Sequence, residues 1–536
     1  MLRDRLKYAL PFLVSLIWFA LFLSQNLSVA HDSVAYLVAA VTGHNMWHPN
    51  HLLGVPLMAL FIDVGATLKL PLSPIALATV PNILGGALLV QVVFLYLHRR
   101  LSLGFRDSLL GSCLPAVSFG TWYYSVAIEA YVIPVFLMFL CLYLLAGDNR
   151  TAKTFYVVAV LHSLAALFHQ YSILLGPLVV YALIITPAIE SRKKLPLFLQ
   201  YVVITAVIVG GTNILVSNVV ADVGNASEFL AWLAGNASSE AAAQFVGGFS
   251  LKTIMFAFVG FSRALIGGHF AFAVPELQET LSTVFAAQSL NDERFLVSPL
   301  SPTMARILLA AAVLWGIGLV VAVARSLQYL GELRHNSATV MVLWVLVPPL
   351  LLFTFYFGHN VEFWLVQSVC LWILLSWALS RMQATRTTIA LLLGLALINF
   401  IGSMQFVGTA DRDYHQWRIQ PVAADIQPGD MVVIGNWWPT AGFVEYFTGV
   451  KPTILDRNFS EQINVIETTD LVQQKLATHN RVFVYDDVYH IDKSAVYHYG
   501  PNYVEYVEKF RLAIPSGQPL STETGRGHRL IVSAEN

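Results

Sequence analysis

The chain has 536 residues, of which 57% are hydrophobic and only 12% charged, and its mean hydropathy is +0.65. That balance excludes a water-soluble globular surface and points to a polytopic membrane protein. A formal net charge of -1 leaves no global basic field that would suggest nucleic acid as a partner.

A helix needs about 20 apolar residues to cross a hydrocarbon core, and backbone in lipid must satisfy its own hydrogen bonds. Apolar runs of that order recur along most of the chain and are read as helices. The first, YALPFLVSLIWFALFLS, follows the basic MLRDRLK without a convincing small-residue cleavage site, so it is expected to be retained with its basic end in the cytoplasm. Cys113, Cys141 and Cys370 lie inside apolar runs, with neither disulfide nor zinc spacing, and read as small buried hydrophobes.

Next comes HDSVAYLVAAVTGHNMWHPNHLLG, which places an aspartate and several histidines between two apolar runs. Val34, Leu37, Val38 and Val41 form a helical stripe, which suits an amphipathic helix lying on the membrane behind an Asp32–Ser33 N-cap. A second in-plane helix is expected over residues 57–70, with a His-Pro-Asn-His turn between the two.

Lys and Arg in short loops favour the cytoplasmic side. Basic clusters at residues 3–7, 98–100, 147–153, 191–194, 325–335 and 381–386 alternate with loops poor in Lys and Arg. Threading the runs through that alternation gives about eleven crossings. The run 254–272 is then a dipping or interfacial helix, because a crossing there would put the 325–335 cluster outside. Past residue 407, Pro, Asp, Asn and Gly return and β-type segments such as DMVVIG and RVFVYDD alternate with TDLVQQKLATH, which has helical character. The expected organisation is a transmembrane domain over 1–407 and a small extracytoplasmic α/β domain over 408–536.

A transporter is expected to hold its ionisable groups near the midplane, between two similar halves. Here Asp32, Glu129, the His169–Gln170 pair and Glu362 gather at outer ends, the arrangement of an active site at the membrane–water interface. Each residue also has a structural reading. Asp32 suits a helix cap, and His48 and His51 suit ordinary interfacial histidines, since H-x-x-H without a third ligand is a weak metal signal. Glu129, among apolar neighbours and with no basic partner nearby in sequence, is harder to explain that way.

The order of the early loop Asp, WHPNHLLGVPLMALF, FGTWYYSVAIEAYVIPVFLMFLCLYLL and ALFHQYSILLGPLVV resembles membrane glycosyltransferases of the GT-C fold. It is most similar to the relatives of protein O-mannosyltransferases, which carry an Asp-Ser start, a His-Pro-Pro-Gly-Tyr-Pro turn and a Trp-x-x-x-Ala-x-x-Glu-x-Tyr helix. The resemblance covers roughly the first third of the chain by motif and the remainder by architecture. His51 and Leu52 stand where the family turn has smaller or more rigid residues, and the loop carries one Asp in place of an Asp-Glu pair.

Such a resemblance implies transfer of a hexose or pentose from a polyprenyl-phosphate donor to an acceptor (protein, lipid or glycan) on the non-cytoplasmic face, usually with inversion. Asp32 is then the candidate base, with Glu129 orienting the loop, holding a hydroxyl or pairing with a cation. Arg263 leads the candidates for the leaving phosphate, which also include Arg306, His48, His51, His169 and His269, with Glu362 and His359 near the lipid-phosphate pocket. Arg263 also suits snorkelling to the interface, and a divalent cation is left open as cofactor. The aromatics of NWWPTAGFVEYF and of the stretch around Asp486 and Asp487 read as core and turn residues more readily than as a carbohydrate platform. The expected setting is a bacterial inner membrane, with an endoplasmic reticulum membrane as the alternative. Sequons at Asn26, Asn225, Asn236 and Asn458 all fall on the expected outer side. A transporter or flippase for a lipid-linked glycan, and a non-catalytic scaffold, are the rival classes.

Overall fold

In the computed structural model of the protein, the described residues are 2–30, 32–220, 223–234, 250–284, 290–435, 438–455, 465–478, 481–485, 488–489, 501–514, 518–519 and 529–531. Asp486, Asp487, Asn236, Asn458 and most of the aromatic stretch that follows Asp487 lie outside them. The chain is mostly helical. Among the described residues, 6 helices are long and apolar enough to cross a membrane: Pro74–Arg100, Ser191–Val220, Pro302–Leu333, Ser337–Phe355, Val361–Arg381 and Thr385–Val407. Shorter apolar helices, among them Lys7–Leu21, Val132–Leu145, Ala152–Phe168 and Gln170–Ile184, stand between them. With this composition and these helices the protein is a multi-pass integral membrane protein.

The chain divides into two units. The first comprises Met1–Ser24, Ala39–Gly268 and Arg306–Gln405. Its hub is the helix Pro74–Leu95, which starts on a Ser73 N-cap accepting from Ala76 N at 3.2 Å and has proline in its first turn, where a missing N–H costs nothing. That helix packs against Leu2–Leu21, Gly54–Thr67, Phe105–Val117, Phe119–Val126 and Val132–Leu145. Of the segment expected over 57–70, residues 57–67 lie in the helix Gly54–Thr67. The run around residue 254 forms the helix Leu251–Leu265, 15 residues long.

Buried asparagines hold the places where helices break inside this unit. Asn82 donates to the carbonyls of Ala127 at 2.8 Å and Glu129 at 2.6 Å, in the break between Phe119–Val126 and Val132–Leu145. Asn399 donates to the carbonyls of Val117 and Leu265, both at 2.8 Å, and accepts from Gly267 N at 3.1 Å. Each side chain satisfies carbonyls at helix ends that would otherwise be buried without partners.

The second unit comprises Gln25–Val38, His269–Ala305 and Phe406–Asn536. Its sheet has the order β2-β1-β3-β5-β4, with β1 Met431–Ile434, β2 Thr453–Ile454, β3 Val482–Val484, β4 Gln518–Pro519 and β5 Arg529–Ile531. β1 pairs parallel with β2 and β3, and β5 antiparallel with β3 and β4. Met431, Val433, Val482 and Val484 pack with Val472, Leu476, Val507 and Phe510, which lie on the helices Val465–Ala477 and Pro501–Ala513.

The apolar stripe on Asp32–Thr42 is mostly buried in protein: Val34, Leu37 and Val38 are buried and Val41 is exposed. Val34 lies so close to Gly442 that a Cβ there would come within 2.9 Å of the valine methyls. The stripe's period fits a membrane surface or a protein groove equally, and close approach at Gly442 selects the groove for Val34. The segment leading to this helix is tied by buried Asp413, which accepts from Leu27 N at 2.7 Å, Ser28 N at 3.0 Å, Gln416 N at 3.0 Å and the Ser28 hydroxyl. Burial nonetheless pushes the Asp413 carboxyl above the usual range, against the pull of these bonds and of His415.

Candidate functional site

In the first unit, the turn Pro49–His51 brings His48 and His51 face to face, with ring centroids 4.5 Å apart and planes 16° off parallel. His51 continues to His169 at 5.9 Å, and His169 to Tyr131 at 4.8 Å and Tyr171 at 4.6 Å. Tyr131 meets Tyr124 at 5.3 Å, and the Tyr124 hydroxyl donates to Glu362 Oε2 at 2.8 Å, whose other oxygen accepts from Asn360 Nδ2 at 2.9 Å. Segments around residues 48–51, 124–131, 169–171 and 360–363 are thereby joined in one cluster of ring and hydrogen-bond contacts.

Local sequence explains how the pieces meet. Leu53 N donates to Leu167 O at 3.1 Å and Gln170 Nε2 to Pro49 O at 2.9 Å, pinning the histidine turn to the His169 junction. Gly54 allows that turn to approach the Glu129 break: a Cβ there would stand 3.2 Å from the Ala130 Cβ. Glu129 itself is only 1% exposed, and its carboxylate and that of Glu362 both bear electrostatically on the Tyr124 hydroxyl.

The histidines are held neutral. Burial pushes His51 well below its ordinary value, with repulsion from His48 and His169 adding to it. Burial and then His48 bring His169 to about 3, and burial lowers His48 as well. His48 Nδ1 accepts from Asn50 N and His169 Nδ1 from Tyr171 N, both at 3.3 Å, so the neutral rings carry their protons on Nε2 and present N–H donors there.

Arg263 stands in the last turn of Leu251–Leu265. His359 is held to about 4, by burial first and by the Arg263 charge second. Both lie near the turn that carries Glu362, since Gly260 packs against the Gly358 carbonyl oxygen so closely that a Cβ would collide with it. Asp32 belongs to the second unit, where it opens the helix Asp32–Thr42, is exposed and accepts from the Tyr36 hydroxyl at 3.4 Å. Arg306, on the helix Pro302–Ser326, is exposed, and His269 is buried in the second unit. The first unit therefore gathers His48, His51, His169, Glu129 and Glu362, with Arg263 beside His359.

Tyr124, Tyr131 and Asn360 join this cluster without having been singled out in the sequence. Tyr124 and Tyr131 flank Glu129 in WYYSVAIEAYVIP, and that flanking was the available signal. Nothing local marks Asn360 apart from Glu362 two positions on. Among the described residues no group of three or more His, Cys, Asp or Glu is placed to hold a metal ion.

Neither a protein-family model nor a curated protein sequence matches the chain. Solved structures do. ArnT from Cupriavidus metallidurans in the apo state aligns at a TM-score of 0.52 and 12% identity, over 98% of this chain and 98% of that one. The same protein bound to undecaprenyl phosphate aligns at 0.51 and 12% identity, over 99% and 98%. An oligosaccharyltransferase from Archaeoglobus fulgidus in its apo form aligns at 0.49 and 13% identity, over 98% of this chain and 75% of that one. On the near-complete ArnT alignment, this chain has the GT-C fold of membrane glycosyltransferases.

Proposed function

We propose that this protein transfers a sugar from a polyprenyl-phosphate donor to an acceptor on the non-cytoplasmic face of a bacterial inner membrane. The observation that carries the reading is the cluster of neutral histidines, tyrosines and the buried Glu129 and half-buried Glu362, drawn from separate segments of a GT-C fold. Support also comes from the solved relative of the same fold that binds undecaprenyl phosphate. The reading includes about eleven crossings from the alternation of basic loops, a membrane domain over 1–407 and an extracytoplasmic α/β domain over 408–536.

In the proposed step the Asp32 carboxylate takes the proton of the acceptor nucleophile as that atom bonds to the anomeric carbon. The anomeric carbon–oxygen bond breaks on the opposite face and its electron pair leaves with the lipid phosphate, so the configuration inverts. A phosphate leaves as a stable anion, so it needs donors and positive charge more than a general acid. Arg263 supplies the charge and a bidentate fork, His48, His51 and His169 supply N–H donors, and Arg306 adds charge at the rim. Glu129 and Glu362, buried or half-buried beside Tyr124, orient sugar or acceptor hydroxyls.

The test is transfer from radiolabelled polyprenyl-phosphate sugars by the purified protein in lipid nanodiscs, with membrane extract as the acceptor source. Labelled acceptor together with released polyprenyl phosphate supports the reading, and Arg263→Ala should lower the rate about 10²-fold or more. Binding of the donor with translocation across a vesicle membrane and no transfer would move a flippase to the front.

A further inference from the structure

A second polar cluster in the first unit takes no part in this chemistry. The helix Val132–Leu145 ends in a turn where Arg100 Nε donates to Tyr143 O at 3.1 Å and Arg150 Nη1 to Leu145 O at 2.7 Å. The Arg100 guanidinium packs on Gly147, where an added Cβ would stand 3.0 Å from Nη2. The two arginines are close enough for Arg100 to repel the Arg150 charge. Arg150 is only 8% exposed, and its buried Nε has no hydrogen-bond partner among the described residues.

Capping the helix does not account for this much charge. A helix C-terminus offers about half a negative charge, against two full guanidinium charges, and Asp148, the acid that bears on Arg150, is itself exposed. The next helix, Ala152–Phe168, begins directly after Arg150 and turns its positive end to the same place. Arg99 adds a third guanidinium, 3.4 Å from the Tyr143 hydroxyl and 5.3 Å from the Tyr8 ring centroid.

Aromatic residues pack on the cluster. Arg100 lies 4.3 Å from the Tyr143 ring centroid, Tyr181 bears on Arg150, and Tyr181 stacks with Trp344 at 5.7 Å. Tyr and Trp gather at the depth of lipid headgroups, so an anion reaching these arginines comes from the bilayer surface. Both basic segments, 98–100 and 147–153, are cytoplasmic on the charge pattern of the sequence.

We propose that Arg100 and Arg150 form a binding site for the phosphodiester headgroup of an anionic phospholipid in the cytoplasmic leaflet, with Arg99 at its rim. The Nη groups of Arg100 form a fork that fits phosphate oxygens, and the bound anion offsets the mutual repulsion of two partly desolvated cations.

Thermal unfolding of the full-length protein in neutral detergent tests this, with added phosphatidylglycerol, phosphatidylcholine or soluble glycerol phosphate. Phosphatidylglycerol should raise the midpoint saturably while the other two leave it in place, and Arg100→Gln or Arg150→Gln should weaken the apparent affinity about five- to tenfold. Arg150→Lys, which keeps the charge, should retain most of the effect. Should Arg150→Gln fail to fold, Arg100→Gln and native mass spectrometry of lipids retained by the wild type carry the test. Equal rises with phosphatidylcholine, or variants that titrate like the wild type, would overturn the site and leave the arginines as helix caps. An equal rise with glycerol phosphate would overturn the lipid assignment.

Discussion

The Tyr124 hydroxyl donates to Glu362 Oε2 at 2.8 Å across 238 positions of sequence, and so joins the segment that carries Glu129 to the turn that carries Asn360. A hydrogen bond to a charged group contributes about 1.5–3 kcal/mol when it is shielded from water. Tyr124→Phe should therefore lower unfolding stability by about that much. Combined with Glu362→Gln, it should lose less than the sum of the single losses, with a coupling of about 0.5–3 kcal/mol. Unfolding of the two single variants and the double variant in the same detergent measures the coupling, and strict additivity would mean the bond contributes nothing.

Asn399 is the most exacting of the buried sutures. Asn399→Leu would leave the carbonyls of Val117 and Leu265 and the N–H of Gly267 without this partner. Each buried group stranded in this way costs about 1–3 kcal/mol, so a loss of at least about 3 kcal/mol is expected. Asn399→Asp keeps the acceptor for Gly267 N but sets a carboxylate against both carbonyls with the two donors gone, and should be at least as destabilising as leucine. The midpoint of thermal unfolding ranks the three.

Much of the local structure was legible in the sequence. The helix Gly54–Thr67 and the strands β1 and β3 follow from period and turn chemistry. So did the tendency of His48, His51, Glu129, His169 and Glu362 to sit at helix junctions, since ionisable groups avoid the middle of an apolar run. What sequence could not give is pairing at long range. Asn82 and Asn399 look like stray polar residues in apolar helices until the carbonyls they serve, far away in the chain, are known. The stripe beginning at Val34 shows the same limit: period reveals an apolar face, and only the opposing Gly442 reveals what covers Val34.

The histidine cluster makes stability depend on pH with a definite sign. His169 falls from 6.5 to about 3 in the folded protein, and His51 is lowered in the same direction. As pH drops below about 6.5 the unfolded chain takes up protons that the folded cluster refuses, so the stability from these groups is full above that value and is lost progressively down to about 3. Thermal midpoints should therefore fall between about pH 7.5 and about pH 5.5. His169→Asn should show a shallower fall than wild type over this range, where most carboxylates stay ionised. A wild-type midpoint that is flat across the range would mean the rings are charged or exposed.

A sugar transfer with Asp32 as its base is tested by the single-turnover rate of transfer from a polyprenyl-phosphate sugar by Asp32→Asn against wild type in matched nanodiscs. The amide is nearly isosteric but cannot take the acceptor's proton. A positioned general base contributes about 10²–10⁴ in rate, so a loss of that size at an unchanged unfolding midpoint and unchanged donor affinity is the predicted result. Transfer at the wild-type rate by Asp32→Asn would rule Asp32 out as the base.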